Sequence, residues 1–155
     1  MKNNIGLDTQ KSQELAVLLN DLLANYQVFY QNMRGFHWNV KGHKFFELHL
    51  KFEELYDDAV LKIDEIAERI LTLQGVPLHT FEAYLKQSSI KSVEKDKVDG
   101  SIIPTVIENF SVLISKERAI LSIAAEAGDE GTVSQMSDYI TQTEKTVWML
   151  NAYLG

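Results

Sequence analysis

Five side chains in one stretch of this chain are of the types that hold a transition-metal ion through nitrogen and oxygen: His37, His49, Glu53, Asp64 and Glu68. His49 with Glu53, and Asp64 with Glu68, are spaced four apart, which on a helix puts both members of a pair on neighbouring turns of one face. The midpoints of the pairs are 15 residues apart, or about 22 Å along a helix axis. No single metal centre spans that distance. An antiparallel second copy of the same helix would set the first pair of one chain opposite the second pair of the other, and a two-fold contact repeats every pairing. The spacing therefore predicts two identical sites shared between two copies. Two imidazoles and three carboxylates suit iron, manganese or zinc, with iron preferred where the purpose is redox chemistry.

The helix that must position these groups runs from about residue 43 to residue 74, ending at Gly75 and Pro77, and it has three faces. Leu48, Phe52, Leu55, Ala59, Ile63, Ile66, Ile70 and Leu73 form one apolar stripe, about 80° wide at 100° per residue. Glu47, Lys51, Glu54, Asp58, Lys62, Glu65 and Arg69 form a second face whose chemistry implies solvent. The third face interleaves Phe46, Tyr56, Val60, Ala67 and Leu71 with His49, Glu53, Asp57, Asp64 and Glu68. A helix in a simple bundle needs one apolar face, so the mixed face implies a second partner. Lone histidines are commonly surface or hydrogen-bonded residues, and acidic pairs at this spacing commonly face water. Among apolar neighbours, however, carboxylates are costly unless they are paired or metal-bound.

Three further long helices follow from periodicity. The first spans about 9–38 with the stripe Leu15, Leu18, Leu22, Tyr26, Phe29, Met33, Phe36 and carries His37 near its end, just ahead of a break at Gly42. Another covers about 101–127, with Pro104 in its first turn. The last runs from about 132 to 153. The connection over 75–100 is long; FEAYLKQ after Thr80 reads as a short helix and KSVEKDKVDG as a solvated loop. No segment alternates long enough to argue a strand. The expected fold is all-α, a four-helix bundle with a long crossover carrying a short helix between the second and third long helices, in the manner of ferritin-like proteins. No Glu-x-x-His pair is present, so the intrachain di-iron centre usual in such bundles is not available.

At 155 residues the chain fits one domain, 1–155, with a core of its own. Cysteine is absent, which removes disulfides, thiolate metal sites and cysteine nucleophiles and fits a reducing cytoplasm. No window approaches a membrane span, and MKNNIGLDTQ lacks the apolar stretch of a secretory signal. Fifteen basic against 22 acidic residues give a net charge of −7, which repels nucleic acid and attracts cations.

The run HWNVKGHKFFELHLKFEELYDDAVLKIDEIAERI, His37 to Ile70, closely resembles the Dps family, the DNA-binding proteins from starved cells, also called mini-ferritins. The likeness extends over nearly the whole chain, through AYLKQSSI in the crossover to the ending WMLNAYLG. The resemblance implies a hollow shell of twelve four-helix subunits in the bacterial cytoplasm or nucleoid. It also implies oxidation of Fe(II), preferably by hydrogen peroxide, at sites between subunits, with storage as ferric mineral and protection against oxidative stress. By the same resemblance His37, His49 and Glu53 come from one chain, and Asp64 and Glu68 from its two-fold mate. The position of Glu53 is Asp in many members. Trp38 follows the first histidine as in the family, where it lies close to the site; its plain role is packing, and it is not taken as catalytic. Asp129, Glu130 and Asp138 are the candidates for an acidic iron-entry pore near the start of the last helix; an acid often found nearby is Ser134 here, and Asp129 reads equally as a helix N-cap.

Two other functions compete with ferroxidation and iron storage. A DNA-compacting protein commonly uses a Lys/Arg-rich tail, and the balanced first fourteen residues and the net charge speak against it. A metal-free interaction module would use the mixed face for protein contact only.

Overall fold

The structure, a computed structural model, describes residues 1–99 and 101–155. Among these, α1 (Thr9–Asn39), α2 (Phe45–Thr72), α4 (Ile102–Glu126) and α5 (Glu130–Leu154) are the four long helices, and α3 (Phe81–Gln87) is the short helix of the crossover. The α3 bounds are those expected from FEAYLKQ, set by Thr80, whose hydroxyl accepts from the Ala83 amide at 3.2 Å. Asp8 starts α1 in the same way, accepting from the Lys11 amide. Gly42, at φ +109°, makes the tight reversal into α2. At the far end Gly75 lies so close to α1 that a Cβ there would meet the Ala16 Cβ at 2.7 Å.

α1 pairs with α2 and α4 with α5, and α1 packs against α4. The apolar stripes meet between the pairs. Phe36 of α1 packs edge-on to Phe52 of α2 at 5.5 Å, and Phe29 lies 4.9 Å from Phe110 of α4. Burying side chains of this size stabilises by about 1.5–3 kcal/mol each. Three asparagines of α1 fasten the crossover. Asn20 accepts from the Leu78 amide and donates to the Val76 carbonyl; Asn25 accepts from the Ser89 and Ile90 amides; Asn32 accepts from the Val93 amide and donates to the Lys91 carbonyl. The segment read as a solvated loop carries one 3-10 turn, Lys95–Lys97, and tucks Val93 and Val98 against the core; Gly100 lies outside the described residues.

One expectation for α2 is corrected. Lys62, assigned to the solvent face, is 4% exposed. Its ammonium pairs with Asp58 at 2.7 Å and lies 5.2 Å from the Tyr139 ring centre. The rest of that face holds to the expectation: Glu47, Glu54, Asp58 and Glu65 are exposed and Lys51 and Arg69 half-buried. A second polar residue sits deeper: Glu117 of α4 is 0% exposed and takes a hydrogen bond from the Tyr26 hydroxyl at 3.1 Å.

Burial pushes the Glu117 carboxyl up to about 7, against the Tyr26 hydrogen bond and the charges of Lys62 and Arg118, and with the charge of Asp58. Its ordinary value is 4.5, so the folded chain holds this proton more tightly than the unfolded chain. The group therefore favours the fold fully below about pH 4.5, and that contribution, about 3 kcal/mol, is lost as pH rises towards 7. Urea unfolding of Glu117→Gln at fixed protein concentration should show a flatter stability profile between pH 5 and about 7.5 than the wild type. Parallel profiles would rule out a buried, titrating Glu117.

Candidate metal centre

The reversal at Gly42 brings the end of α1 against the start of α2, and with them His37 and His49. The two imidazoles stack face to face, 3.7 Å between centres and 11° between planes. Each ring is tied to the other's backbone: His37 Nδ1 donates to the His49 carbonyl at 2.6 Å, and His49 Nδ1 donates to the His37 carbonyl at 2.7 Å. A carbonyl can only accept, so both Nδ1 atoms carry their protons. Both Nε2 lone pairs are thereby left free in neutral rings, the state in which imidazole ligates a metal. The His37 carbonyl is in the last turn of α1, where main-chain oxygens lack helical partners, so His49 also completes that helix end. Phe45 stacks on His49 at 4.7 Å, and Tyr56 sets its ring edge against His37 at 5.4 Å.

Glu53 lies one turn beyond His49 and is half-buried. Burial, then the charges of Glu53 and Asp57, raise the Tyr56 phenol above its ordinary value. At the other half of the helix, a hydrogen bond with Asp64 and then its charge raise the Glu68 carboxyl. Those two groups are thus close enough to share a proton, a place that a cation can take instead. The structure brings together His37 with His49, and Asp64 with Glu68, as two separate clusters. Among the described residues of one chain, no three His, Asp or Glu side chains converge as a metal ion requires.

The mixed face that carries both clusters also leaves apolar side chains bare: Phe46 is 83% exposed, and Val60 and Leu71 are exposed too, with Asp57 among them. Large apolar side chains left exposed along one helix face mark an interaction surface.

Residues 16–155 match the ferritin family, described as a ferritin-like domain. A crystal structure of a Dps protein from Vibrio cholerae O1, described as a member of a broad superfamily of ferritin-like diiron-carboxylate proteins, has a TM-score of 0.96 and 58% identity, over 99% of this chain and 97% of that one. A DNA protection during starvation protein of Porphyromonas gingivalis is 44% identical over 99% of this chain and 98% of its own length. The chain belongs to the Dps family of ferritin-like proteins. A Dps protein from Bacillus brevis has a TM-score of 0.91 at 39% identity, over 96% of this chain and all of that one. The expected all-α bundle with its helical crossover is the fold observed. No helix among the described residues is long and apolar enough to cross a membrane.

Of the three acids named for a Dps pore, Asp129 is 2% exposed and caps α5. It accepts from the Thr132 amide at 3.0 Å and from the Thr132 hydroxyl, and it pairs with Arg69. Of its two expected roles, its carboxylate occupies that of the cap. Glu130 and Asp138 are exposed, and Asp138 lines a groove of about 660 Å³ between α2 and α5, together with Glu65, Glu68 and Tyr139. Ser134 lines it too.

Sequence reasoning missed the cluster of Tyr26, Glu117, Lys62 and Tyr139. One signal was available: Glu117 continues the apolar stripe Leu113, Ile120, Ala124 of α4, where a charge has no reason to be unless partnered.

The histidine geometry fixes tautomers, which nitrogen-detected NMR reads directly. At a pH where both rings are neutral, His37 and His49 should each be the Nδ1–H form. An Nε2–H signature for either ring would exclude that ring as an Nε2 ligand.

Proposed function

We propose that this chain is a ferroxidase and iron store, oxidising Fe(II) at sites formed between two-fold-related copies. One observation carries the reading: the mutual hydrogen bonds of His37 and His49 leave two Nε2 lone pairs free towards one end of an exposed mixed face of α2, whose other end carries the Asp64–Glu68 pair. Each half lacks what the other has. In the proposed site His37, His49 and Glu53 of one chain face Asp64 and Glu68 of its mate. Three carboxylates offset the charge of Fe(II) substrate, and the two imidazoles add neutral donors.

Hydrogen peroxide is the oxidant this site suits best. Two Fe(II) ions supply the two electrons that cleave its O–O bond, and both oxygens leave as water or hydroxide. Paired electrons delivered at fixed positions limit hydroxyl radical, which one-electron cleavage releases. The ferric product is then stored as mineral within a hollow shell of, in this reading, twelve subunits, giving protection against oxidative stress in the cytoplasm. Glu130 and Asp138, with Asp129 holding the start of α5 in place, are the proposed lining of an iron-entry pore. Protection of DNA would follow from removing Fe(II) and peroxide rather than from binding DNA, since a net charge of −7 opposes phosphate contacts.

His49→Ala and Asp64→Ala should each slow peroxide-driven Fe(II) oxidation at least about tenfold while particle size is retained. Sharing makes a sharper test. Refolding the two variants together in equal amounts should restore about a quarter of wild-type activity, because half the dimers are mixed and each mixed dimer holds one intact site. A site built within one chain would recover nothing, and that result would overturn the shared arrangement.

A further inference from the structure

The two imidazoles stand inside a longer series of rings at the seam between α1 and α2. Phe45 lies flat against His49, with 4.7 Å between centres and 21° between planes, and His49 lies flat against His37. Tyr56 meets His37 edge-on, and Tyr30 meets Tyr56 edge-on at 6.0 Å. Two rings cannot share one face of His49 at those distances, so that imidazole is enclosed on both faces. Every other ring pair among the described residues is tilted or edge-on, from 51° to 80°. Near-parallel stacking is thus confined to His49, whereas ordinary packing in this bundle crosses its rings.

Both ends of the series are held. Phe45 opens α2 one turn ahead of His49, the spacing that sets two side chains on neighbouring turns of one face. Its amide donates to the Gly42 carbonyl at 3.1 Å, and its ring, like those of Tyr56 and Tyr30, packs against the core. The Arg34 guanidinium lies 5.3 Å from the centre of the Tyr30 ring and backs the far end.

The mutual hydrogen bonds of the histidines select the Nδ1–H form but hold each ring by one contact only. A neutral hydrogen bond within reach of water favours the bonded state by about fivefold. An imidazole that swings off its carbonyl is free to exchange to the Nε2–H form, which has no lone pair left at Nε2 for a metal. Flat neighbours oppose that swing, because the ring cannot turn without losing its face contacts; an aromatic pair adds about fivefold beyond the area it buries. The Tyr56 ring opposes a swing of His37 in the same way.

We propose that Phe45 and Tyr56 are positioning residues of the metal site, the two rings between which the stacked histidines are kept in the ligating tautomer and orientation before an ion arrives. Phe45 acts through His49 and Tyr56 through His37. The consequence for iron oxidation rests on the ferroxidase reading; the hold on the imidazoles does not.

Phe45→Leu and Tyr56→Leu each remove a ring and keep an apolar side chain, whereas Phe45→Tyr and Tyr56→Phe keep the ring. Histidine-labelled full-length protein, free of iron and at a pH where the rings are neutral, is read by magic-angle-spinning nitrogen NMR. His37 and His49 should be Nδ1–H alone in the wild type and the ring-keeping variants, and a mixture with Nε2–H in both leucine variants. The exposed His43 and His79 serve as references. In peroxide-driven Fe(II) oxidation the leucine variants should raise the Fe(II) concentration at half-maximal rate about fivefold. Their maximal rate should be retained, because bound iron re-imposes the orientation. The ring-keeping variants should restore the wild-type half-saturation. Leucine variants that melt earlier yet keep wild-type tautomers and half-saturation would reduce the rings to packing and overturn the proposal. An equal defect in the ring-keeping variants would overturn it as well. A wild type that leaves iron unoxidised would defeat the ferroxidase reading alone, since the tautomers are read without metal.

Discussion

A straight helix separates any two of its residues by about 1.5 Å for each step, and α2 is unbroken from Phe45 to Thr72. Nothing in the protomer can bring Asp64 to His49. This rigidity organises the rest of the molecule: it divides the proposed ligands into two half-sites and obliges the face between them to meet another surface. The half-site at the start of α2 depends on the Gly42 reversal, because only a close antiparallel return sets His37 against His49. Each histidine then fixes the other's tautomer through the opposite carbonyl, so the pair is pre-organised before any ion arrives.

The same constraint explains what the bundle core contains. In ferritin-like di-iron proteins, carboxylates and histidines project inward from all four helices to hold metal. Here the inward polar groups include Tyr26, Lys62, Glu117 and Tyr139, one from each long helix. The Lys62 ammonium lies among them, paired with Asp58. It lowers the cost of keeping Glu117 charged, and a tethered cation leaves little reason for a metal ion to enter. With the interior held in this way, the proposed metal site falls on the outward face of α2 instead.

Much of this was legible in the sequence, for a physical reason. Periodicity reports burial, and α2 buries one stripe against its own bundle while offering another elsewhere; both signals survive in Phe52 and Ile66 on one side and Val60 and Leu71 on the other. Turn chemistry marked α3 through Thr80. The failures were polar residues in apolar company. Lys62 read as solvent-facing because chemistry was used as a proxy for direction, whereas its aliphatic stem lies buried under α5 and only partners decide its place. Glu117 escaped notice because its acceptor role depends on Tyr26, 91 residues away in the chain, a separation no local pattern encodes. Asp129 kept two readings open until Arg69, contributed by α2, showed where its carboxylate was engaged.

Assembly and site formation are coupled in the arrangement proposed. Exposed Phe46, Val60 and Leu71 gain by leaving water, while Asp64 and Glu68 on the same face lose hydration and repel one another if both are ionised. Covering the face without a cation therefore sets apolar gain against carboxylate cost; covering it with Fe(II) substrate present removes much of that cost. By linkage, whatever binds only the paired state stabilises it. The acidic half-site thus makes pairing tighter when iron is present than when it is absent, and the apolar residues keep the copies together after each ferric product has left. That division lets the ligand residues remain weak holders of iron, which turnover requires, without making the shell dependent on them.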